Sequence, residues 1–289
     1  MIAEAVVNPV SRSGARVYRR FAPLLRRHFT LRTVFTEYRG HASEIAAGSD
    51  ADLIVVFGGD GTLNEVVNGL VHNVRFPFVA PTFGGSGCDV ARSLGIEREP
   101  ERRVREVLQR MESGDGYRIY LSRVDTKSGG RFFIGVSDVG FGAEVARRFD
   151  RWRRLGRFGY TGAVLEALKE FGPRRVRFRV DDDPYSMEVM MLVFARTPYF
   201  GGGMHISPNS DPVSREAKVI VLKRVGRLRF LLNFPKVYSG QHLKMKEVAE
   251  IPGRNLYVET PGLPVEAEGE FVGETPAVYT ITEAYVNFV

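Results

Sequence analysis

The chain has 289 residues and a net charge of +7, and 44% of its residues are hydrophobic, as in soluble globular proteins. Its longest apolar run, residues 189–195, is too short to cross a bilayer, and its single cysteine, Cys88, excludes an intrachain disulfide. Because the N-terminus also lacks a basic leader, we predict a cytoplasmic protein. The basic charge indicates a polyanionic partner: a nucleotide, an acidic membrane or a nucleic acid.

The length exceeds that of a typical single core, and the pattern changes near residue 116, so we predict two domains, 1–116 and 117–289. In the first domain, short apolar strands alternate with segments of helical spacing, which predicts an α/β domain with a parallel sheet. Strands are predicted at 2–7, 31–35, 53–57 and 78–80, and helices at 14–28, 42–47, 63–70, 89–94 and 102–111.

The second domain consists mostly of short strands separated by Gly- and Pro-rich turns, which predicts an antiparallel β-sandwich. Its strands are predicted at 117–124, 131–136, 175–180, 187–196, 218–222, 256–259, 265–268 and 277–286, with helices near 147–171 and 227–238. The final strand could return to the first domain. Two such domains are expected to enclose a cleft, which is a favoured ligand site.

The most informative run follows the strand predicted at 53–57. Gly58, Gly59 and Gly61 surround Asp60, and Thr62 comes next. Glycines let a polyanion approach the main chain, and the following helix presents N–H groups and a partial positive charge. Asp60 can face a divalent metal carried by phosphates. The run therefore predicts a phosphate site for a Mg-nucleotide, the alternative being an ordinary glycine-rich turn.

This run and several other stretches of the chain occur in the order and spacing of a known family. In the first domain they are 8–14 (Asn-Pro-Val-Ser-Arg-Ser-Gly), 36–42 (Thr-Glu-Tyr-Arg-Gly-His-Ala), 58–65 (Gly-Gly-Asp-Gly-Thr-Leu-Asn-Glu) and 85–95; in the second they are 141–145, 155–160, 201–204 and 268–270. With these stretches the chain resembles, over nearly its whole length, the diacylglycerol kinase catalytic-domain family, which includes bacterial lipid kinases, sphingosine kinases and ceramide kinases.

The resemblance implies a first domain similar to that of NAD kinase and phosphofructokinase, with ATP bound there and a lipid hydroxyl entering the cleft. It implies ATP and Mg²⁺ as cofactors, with Asp60 facing the Mg²⁺ of Mg-ATP. The residues that it assigns to the nucleotide are Asn8, Thr36, Gly58, Gly59, Gly61, Thr62, Glu65 and Ser86.

The chain departs from the family pattern at four places, three of which concern polar side chains that are replaced. Cys88 stands where an Asn is usual. The stretch at 135–142 begins with Gly135 in place of Asn and has Gly142 in place of Asp. Ser214 and Arg215 replace an Asp-Gly pair that holds a structural Mg²⁺ in some bacterial members, so we do not expect that metal here.

The fourth departure lies in the turn that carries the family's catalytic acid. Glu268 replaces the usual Asp and keeps a carboxylate on an arm one methylene longer, which a general base tolerates if it reaches the substrate. We predict Glu268 and Asp60 as catalytic residues, with Glu270 as the alternate proton acceptor. Strand alternation leaves open that Glu266, Glu268 and Glu270 form an exposed strand face.

A basic segment, residues 147–157, carries six arginines among aromatic and aliphatic residues. Such a segment predicts contact with an anionic membrane surface; the alternative is a solvated helix whose apolar residues pack on the β domain. We expect no nucleic-acid partner, since the sequence contains no named nucleic-acid module, and a homodimer is left open.

Together these features predict an ATP-dependent lipid kinase, peripherally associated with the membrane, that transfers the γ-phosphate to a lipid hydroxyl. Diacylglycerol is the first candidate substrate. One alternative is an NAD kinase-like enzyme with a soluble substrate, which shares a Gly-Gly-Asp-Gly turn. The other is a nucleotide- or lipid-binding protein with weak or no turnover, which the departures at Gly135, Gly142, Ser214 and Glu268 motivate.

Overall fold

The computed structural model describes residues 1–152 and 157–289. The chain divides into two compact units, the first formed by Met1–Leu121 with Thr282–Val289 and the second by Ser122–Ile281. In the described ranges, no helix has both the length and the apolar character needed to cross a membrane.

The first unit is an α/β domain built on parallel strands in the order β4-β3-β1-β2. All five residues of β3 are buried, as expected for a strand covered on both faces. The prediction of a parallel first domain is confirmed. Its elements are β1 (Ile2–Val7), α1 (Gly14–Leu25), β2 (Thr30–Phe35), α2 (His41–Gly48), β3 (Leu53–Phe57), α3 (Asp60–Leu70), β4 (Phe78–Pro81), α4 (Asp89–Ser93) and α5 (Pro100–Ser113).

The helix after β3 begins earlier than its apolar pattern indicates. Prediction placed its start at residue 63, whereas α3 starts at Asp60 with Gly59 as its N-cap. Apolar spacing marks only the buried face, so it misses a polar first turn. An acid in that turn is favourable because it complements the helix dipole. The residues of the glycine-rich run therefore form the N-terminus of α3.

The second unit is an antiparallel β-sandwich, as predicted. Its longest strand, β9, pairs with β8 along its first half and with both β7 and β10 along its second half. The elements are β5 (Tyr117–Thr126, which starts in the first unit), β6 (Gly129–Phe133), β7 (Val136–Gly140), α6 (Phe141–Trp152), α7 (Arg157–Glu170), β8 (Arg174–Val180), β9 (Asp183–Ala195), β10 (Ala217–Lys223), α8 (Arg227–Asn233), β11 (Val248–Gly253), β12 (Asn255–Val258), β13 (Pro264–Ala267), β14 (Glu270–Glu274) and β15 (Ala277–Phe288, which ends in the first unit).

Three strands of this unit were not predicted. β7 was merged with β6, and β11 and β14 were missed, because these segments contain Pro or Gly and lack a clear apolar alternation. The predicted strand at 265–268 stops one residue early, since Glu268 has a φ of 56° and Gly269 a φ of 80°. Two successive residues with positive φ form the tight turn of a hairpin, which joins β13 to β14.

Two carboxyl groups are buried opposite each other in this unit. Asp138 on β7 and Glu266 on β13 are register partners, and each is 1% exposed. The N–H of Ala143 donates to Asp138 Oδ1 (2.7 Å), and the N–H of Gly269 donates to Glu266 Oε2 (2.5 Å). Burial raises the pKa of Asp138 to about 6, and burial with the charge of Asp138 raises the pKa of Glu266 well above its ordinary value. Burial therefore favours the neutral form of both carboxyl groups over the charged form.

Replacing Glu266 with Gln should change how stability depends on pH. A glutamate whose pKa is raised by folding contributes its full stability below its ordinary pKa of 4.5, and that contribution is lost as pH rises through the folded value. Gln stays neutral, so Glu266→Gln should gain free energy of unfolding relative to the wild type as pH rises above about 4.5, by about 1.4 kcal/mol per pKa unit of the shift.

Urea unfolding across this pH range measures the effect. Glu274→Gln, which changes an exposed acid on β14, is the matched control and should follow the wild type. If the free energy of unfolding depends on pH in the same way for Glu266→Gln and the wild type, the raised pKa of Glu266 is contradicted.

Candidate active site

Two glycine turns, 58–61 after β3 and 84–87 after β4, pack main chain against main chain. A Cβ atom at Gly85 would lie 2.3 Å from Gly59 Cα, and one at Gly84 would lie 2.7 Å from Gly58 N. No side chain tolerates such contacts, so these positions require glycine. Because β3 and β4 are parallel neighbours, both turns lie at the carboxyl edge of the sheet, where ligands of α/β sheets bind.

Asn8 brings the end of β1 to the same place. Its N–H donates to Phe57 O (3.0 Å), and its Nδ2 donates to Thr62 Oγ1 (2.9 Å). Its Oδ1 accepts the N–H groups of Val10 (3.1 Å) and Ser11 (3.2 Å). The structure therefore joins Asn8 directly to the first turn of α3.

Asp60 is half-buried in that first turn. Its Oδ1 accepts the N–H of Val90 at the start of α4 (3.2 Å). The nearby Asp89 is buried and forms an ion pair with Arg92 (2.6 Å), which offsets its charge. Asp60 is accordingly the carboxylate of this region that best fits a cation.

The other predicted nucleotide residues differ in how closely they approach the glycine turns. Thr36 follows β2, and its N–H donates to the carbonyl of the last residue of β1 (2.9 Å). Ser86 is exposed within the second glycine turn. Glu65 lies half-buried further along α3, and across the described ranges it forms no hydrogen bond to the turn.

The recess between the glycine turns fits a phosphate group. It spans about 200 Å³ including its opening to solvent, and it is bordered by Gly58, Gly59 and Asp60 of the first turn and by Thr82 and Cys88, which flank the second turn. The N-terminus of α3 directs N–H groups toward an anion. Burial raises the pKa of Cys88 to about 11, so its thiol adds no negative charge. Among residues 1–152 and 157–289, no group of three or more His, Cys, Asp or Glu side chains could hold a metal. A cation would therefore be held by Asp60 together with phosphate oxygens.

Glu268 occupies the hairpin turn between β13 and β14 in the second unit. Its Oε1 accepts the N–H groups of Gly135 (2.6 Å) and Ile134 (3.1 Å). The side chain is half-buried, so it is ordered by the main chain while still reaching solvent. This combination of fixed orientation and access suits a proton acceptor.

Two departures from the family pattern are explained by neighbouring carboxylates. A Cβ atom at Gly135 would lie 3.0 Å from Glu268 Oε1, and one at Gly142 would lie 2.3 Å from Asp138 Oδ2. Gly135 thus leaves room for the longer arm of Glu268, and the carboxylate of Asp138 fills the space beside Gly142. Substitutions that look independent along the chain are coupled in space.

The exposed strand face considered for the three glutamates is wrong. The register shifts between Val265 and Glu266, and the turn at Glu268 ends the strand, so side-chain alternation fails. Glu266 is buried, while Glu268 and Glu270 are half-buried. The three acids therefore have different surroundings, and Glu268 and Glu266 have different tasks.

A buried guanidinium holds the loop at 211–216. Arg196 is 0% exposed and donates to the carbonyl oxygens of Pro212 (3.3 Å), Ser214 (2.6 Å) and Glu216 (3.0 Å). Burial lowers its pKa to about 10, so it remains charged at neutral pH. The guanidinium of Arg196 already places a positive charge against the carbonyl oxygens of this loop, so the loop does not fit a structural Mg²⁺.

The basic segment at 147–157 lies partly outside the described residues, which include neither Arg153 nor Arg154. Within the described part, Arg147 and Arg151 form ion pairs with glutamates of α6 and α7. Arg148 is buried and bonded to three of them, namely Glu144, Glu166 and Glu170. The sequence alone did not reveal this pairing.

Sequence analysis also missed an apolar cavity inside the second unit. It encloses about 760 Å³ and is lined by side chains from helices and strands across the unit. Phe230, Phe234 and Val237 form one wall at spacings of four and three residues, a helical pattern that could have signalled a buried face. Its other lining residues include Phe141, Val145, Met191, Leu222 and Val248.

Two family models match the chain. Residues 3–116 match the diacylglycerol kinase catalytic domain, and residues 135–289 match the YegS C-terminal NAD kinase beta sandwich-like domain. A diacylglycerol kinase of Mycobacterium tuberculosis is 28% identical over 241 residues, covering 82% of this chain and 75% of that protein. A diacylglycerol kinase of Bacillus subtilis is 25% identical over 252 residues, covering 86% and 81%.

The crystal structure of a diacylglycerol kinase from Bacillus anthracis has a TM-score of 0.73 to this chain at 18% identity, covering 100% of this chain and 96% of the other. At that identity the likeness establishes the fold alone. The family models carry the assignment, because together they span both units and the second matches more than half of the chain. The chain belongs to the diacylglycerol kinase catalytic-domain family, with a C-terminal domain of the YegS type.

Proposed function

We propose that this protein is an ATP-dependent lipid kinase that transfers the γ-phosphate of ATP to the hydroxyl of a membrane lipid, with diacylglycerol as the first candidate. It would use Mg²⁺ and act in the cytoplasm while peripherally associated with a membrane. The observation that carries this proposal is the apolar cavity beside the carboxylates of the second unit.

The cavity has the size and chemistry of a site for an acyl chain. The space between its walls, including its opening to solvent, is about 760 Å³, and ligand sites of this kind are lined mainly by apolar side chains. Nearly all of its lining side chains are apolar; Asn233 and His242 are the polar exceptions. Burial of hydrocarbon in such a site is favourable by about 0.8 kcal/mol per methylene, whereas a nicotinamide dinucleotide would find few partners for its polar groups.

A short series of contacts links the cavity wall to Glu268. Gly142 lines the cavity and adjoins the carboxylate of Asp138. Asp138 is the register partner of Glu266, which accepts the N–H of Gly269. Gly269 directly follows Glu268, so the site for a hydrocarbon chain and the candidate proton acceptor are parts of one local arrangement.

Each candidate residue has a definite task in this reaction. The main chain at Gly58–Thr62 and Asn8 would bind the phosphates, and Asp60 would face their cation, which neutralises charge on the transferred group. Glu268 would accept the proton of the lipid hydroxyl as the hydroxyl oxygen bonds to the γ-phosphorus, while the bond from that phosphorus to the β,γ-bridging oxygen breaks and ADP leaves. Asp138 and Glu266 would keep the Glu268 turn in place.

The soluble-substrate alternative is weaker because the second unit offers hydrocarbon surface rather than polar groups at the cavity. The alternative of a binding protein without turnover is also weaker. Two of the departures that motivated it, Gly135 and Gly142, lie beside the carboxylates of Glu268 and Asp138, which occupy the space that a side chain would take. Labelled ATP tested against mixed lipid vesicles and against NAD in water distinguishes the three functions. Transfer to NAD, or tight ATP binding with no transfer to any lipid hydroxyl, would contradict the proposal.

Asp60→Asn should lower kcat/KM for lipid phosphorylation by roughly 10²–10³-fold, because it removes a preorganised charge from the phosphate site. Asp115→Asn changes an exposed acid of the same unit and should leave the rate unchanged. Steady-state transfer of labelled phosphate measures both variants. A rate for Asp60→Asn within about twofold of the wild type would remove Asp60 from the mechanism.

Glu268→Gln should lower kcat by roughly 10²–10⁴-fold, the usual contribution of a general base, without weakening ATP binding. Glu268→Asp keeps the carboxylate and should lose less activity than the Gln variant. Glu270→Gln is the matched control on the same hairpin and should stay near the wild-type rate. If Glu270→Gln rather than Glu268→Gln abolishes transfer, Glu270 is the acceptor.

Met191→Trp should fill part of the cavity and discriminate against long acyl chains. We expect kcat/KM for dioleoylglycerol to fall by about tenfold or more, since several methylenes lose their apolar contact, while dihexanoylglycerol is little affected. Met187→Trp, on the same strand but outside the cavity lining, is the control. Equal loss for both substrates in a stably folded variant would contradict the acyl-chain site.

A further inference from the structure

The segment after β10 exposes apolar side chains that a soluble surface would normally bury. Leu228 and Leu232 on α8 are each 71% exposed, and Leu231 is 38% exposed. Their spacing of three and four residues places them on one face of the helix. Tyr238, in the 3₁₀ helix at Phe234–Ser239, is 51% exposed. Several large apolar side chains exposed within one short segment indicate an interaction surface.

The same segment forms a wall of the apolar cavity. Phe230 of α8 is buried, and with Phe234 and Val237 it lines the cavity. One face of the segment therefore contacts the hydrocarbon site while the other presents leucines to solvent. The segment thus lies between solvent and the hydrocarbon site, which gives a lipid chain a short path into the cavity.

Basic side chains accompany the exposed leucines. Between residues 224 and 246 the sequence has no Asp or Glu. It carries six exposed cations over that length, Arg224, Arg227, Arg229, Lys236, Lys244 and Lys246. Apolar residues interspersed with lysine and arginine match the interface of an anionic bilayer, where headgroups attract the cations and hydrocarbon accepts the leucines.

The charge of this segment is less neutralised than that of the described part of α6. There, Arg147, Arg148 and Arg151 all form ion pairs with glutamates. In the segment after β10, Arg224 and Arg229 pair with Glu188 and Glu247, while the three lysines have no ion pair within the described residues. Cations without an ion pair remain available to anionic headgroups.

We propose that the surface formed by Leu228, Leu231, Leu232, Tyr238 and these six cations, here called the α8 surface, docks the protein on an anionic lipid bilayer. The leucines enter the interface, the cations contact lipid headgroups, and a lipid chain passes along α8 into the cavity. The identity of the reacting lipid rests on the function proposed above, but docking itself requires neither nucleotide nor turnover.

Vesicle sedimentation without ATP tests the docking directly. The full chain should bind vesicles of phosphatidylcholine with about 30% phosphatidylglycerol more tightly than vesicles of phosphatidylcholine alone. The double variant Leu228→Ser/Leu232→Ser should lower binding by at least about tenfold. Val74→Ser, which changes a residue 88% exposed in the first unit, should bind like the wild type.

A second pair of variants tests the charges. Lys244→Gln/Lys246→Gln should lower binding to anionic vesicles by about fivefold for each charge removed, and the loss should vanish at high salt. Arg26→Gln/Arg27→Gln removes two exposed cations from the end of α1 and is the matched control. Equal losses for both pairs would show attraction by net charge alone and would overturn the docking surface.

Kinetics separate docking from catalysis. Leu228→Ser/Leu232→Ser should raise the apparent KM for dioleoylglycerol in vesicles by about tenfold, while kcat/KM for dihexanoylglycerol dissolved in water stays within about twofold. If the wild type binds no vesicles, or the leucine variant binds as well as the wild type, the docking proposal fails. Normal vesicle binding without phosphate transfer would instead overturn the proposed function.

Light scattering addresses the other occupant that such a surface could have. If the wild type is a dimer that Leu228→Ser/Leu232→Ser converts to a monomer, with vesicle binding unchanged, the α8 surface is an interface between two copies and the proposal is wrong. An unchanged oligomeric state together with lost vesicle binding supports docking on lipid.

Discussion

The buried pairing of Asp138 with Glu266 is the constraint on which the second unit's candidate site depends. The two acids are direct partners on neighbouring strands, and both are buried. If both were ionised, their repulsion in a medium of low dielectric would oppose the pairing of β7 with β13. Asp138 accepts the N–H of Ala143 at the start of α6, and Glu266 accepts the N–H of Gly269 in the hairpin turn. The turn that carries Glu268 is therefore tied to this buried pair.

The two units build their candidate sites in opposite ways. In the first unit, the candidate phosphate site depends on the absence of side chains, since Gly84 and Gly85 lie too close to Gly58 and Gly59 to carry a Cβ atom. In the second unit, a carboxylate is oriented by main-chain donors and supported by buried acids. Phosphate binding requires bare backbone, whereas proton transfer requires a side chain of fixed orientation.

The departures from the family pattern are local rearrangements rather than losses. Gly135 accommodates the longer Glu268, and Asp138 occupies the space beside Gly142. Arg196 supplies the loop at 211–216 with a cation that the chain itself carries. At Gly142 and at the loop 211–216, a charged group of another residue lies close to the changed position, which is compatible with a shared chemistry at the low sequence identities seen among relatives.

The sequence by itself determined the two-domain fold class and the glycine-rich site. Alternating strand and helix periods dictate a parallel sheet, and the order of Asn8, Asp60, Thr62 and Glu268 along the chain carried the resemblance. These features depend on short stretches, where local pattern and backbone requirements are strong.

Only the tertiary structure decided the environment of each acid and the location of the apolar surfaces. Glu266 and Glu268 are two residues apart, yet a register shift and a turn bury one and leave the other half-buried. Asp138 pairs with Glu266, 128 positions further along the chain, and the cavity gathers residues from several elements. Burial, pKa and cavity shape arise from contacts between distant segments, and a local pattern carries no information about which segments will meet.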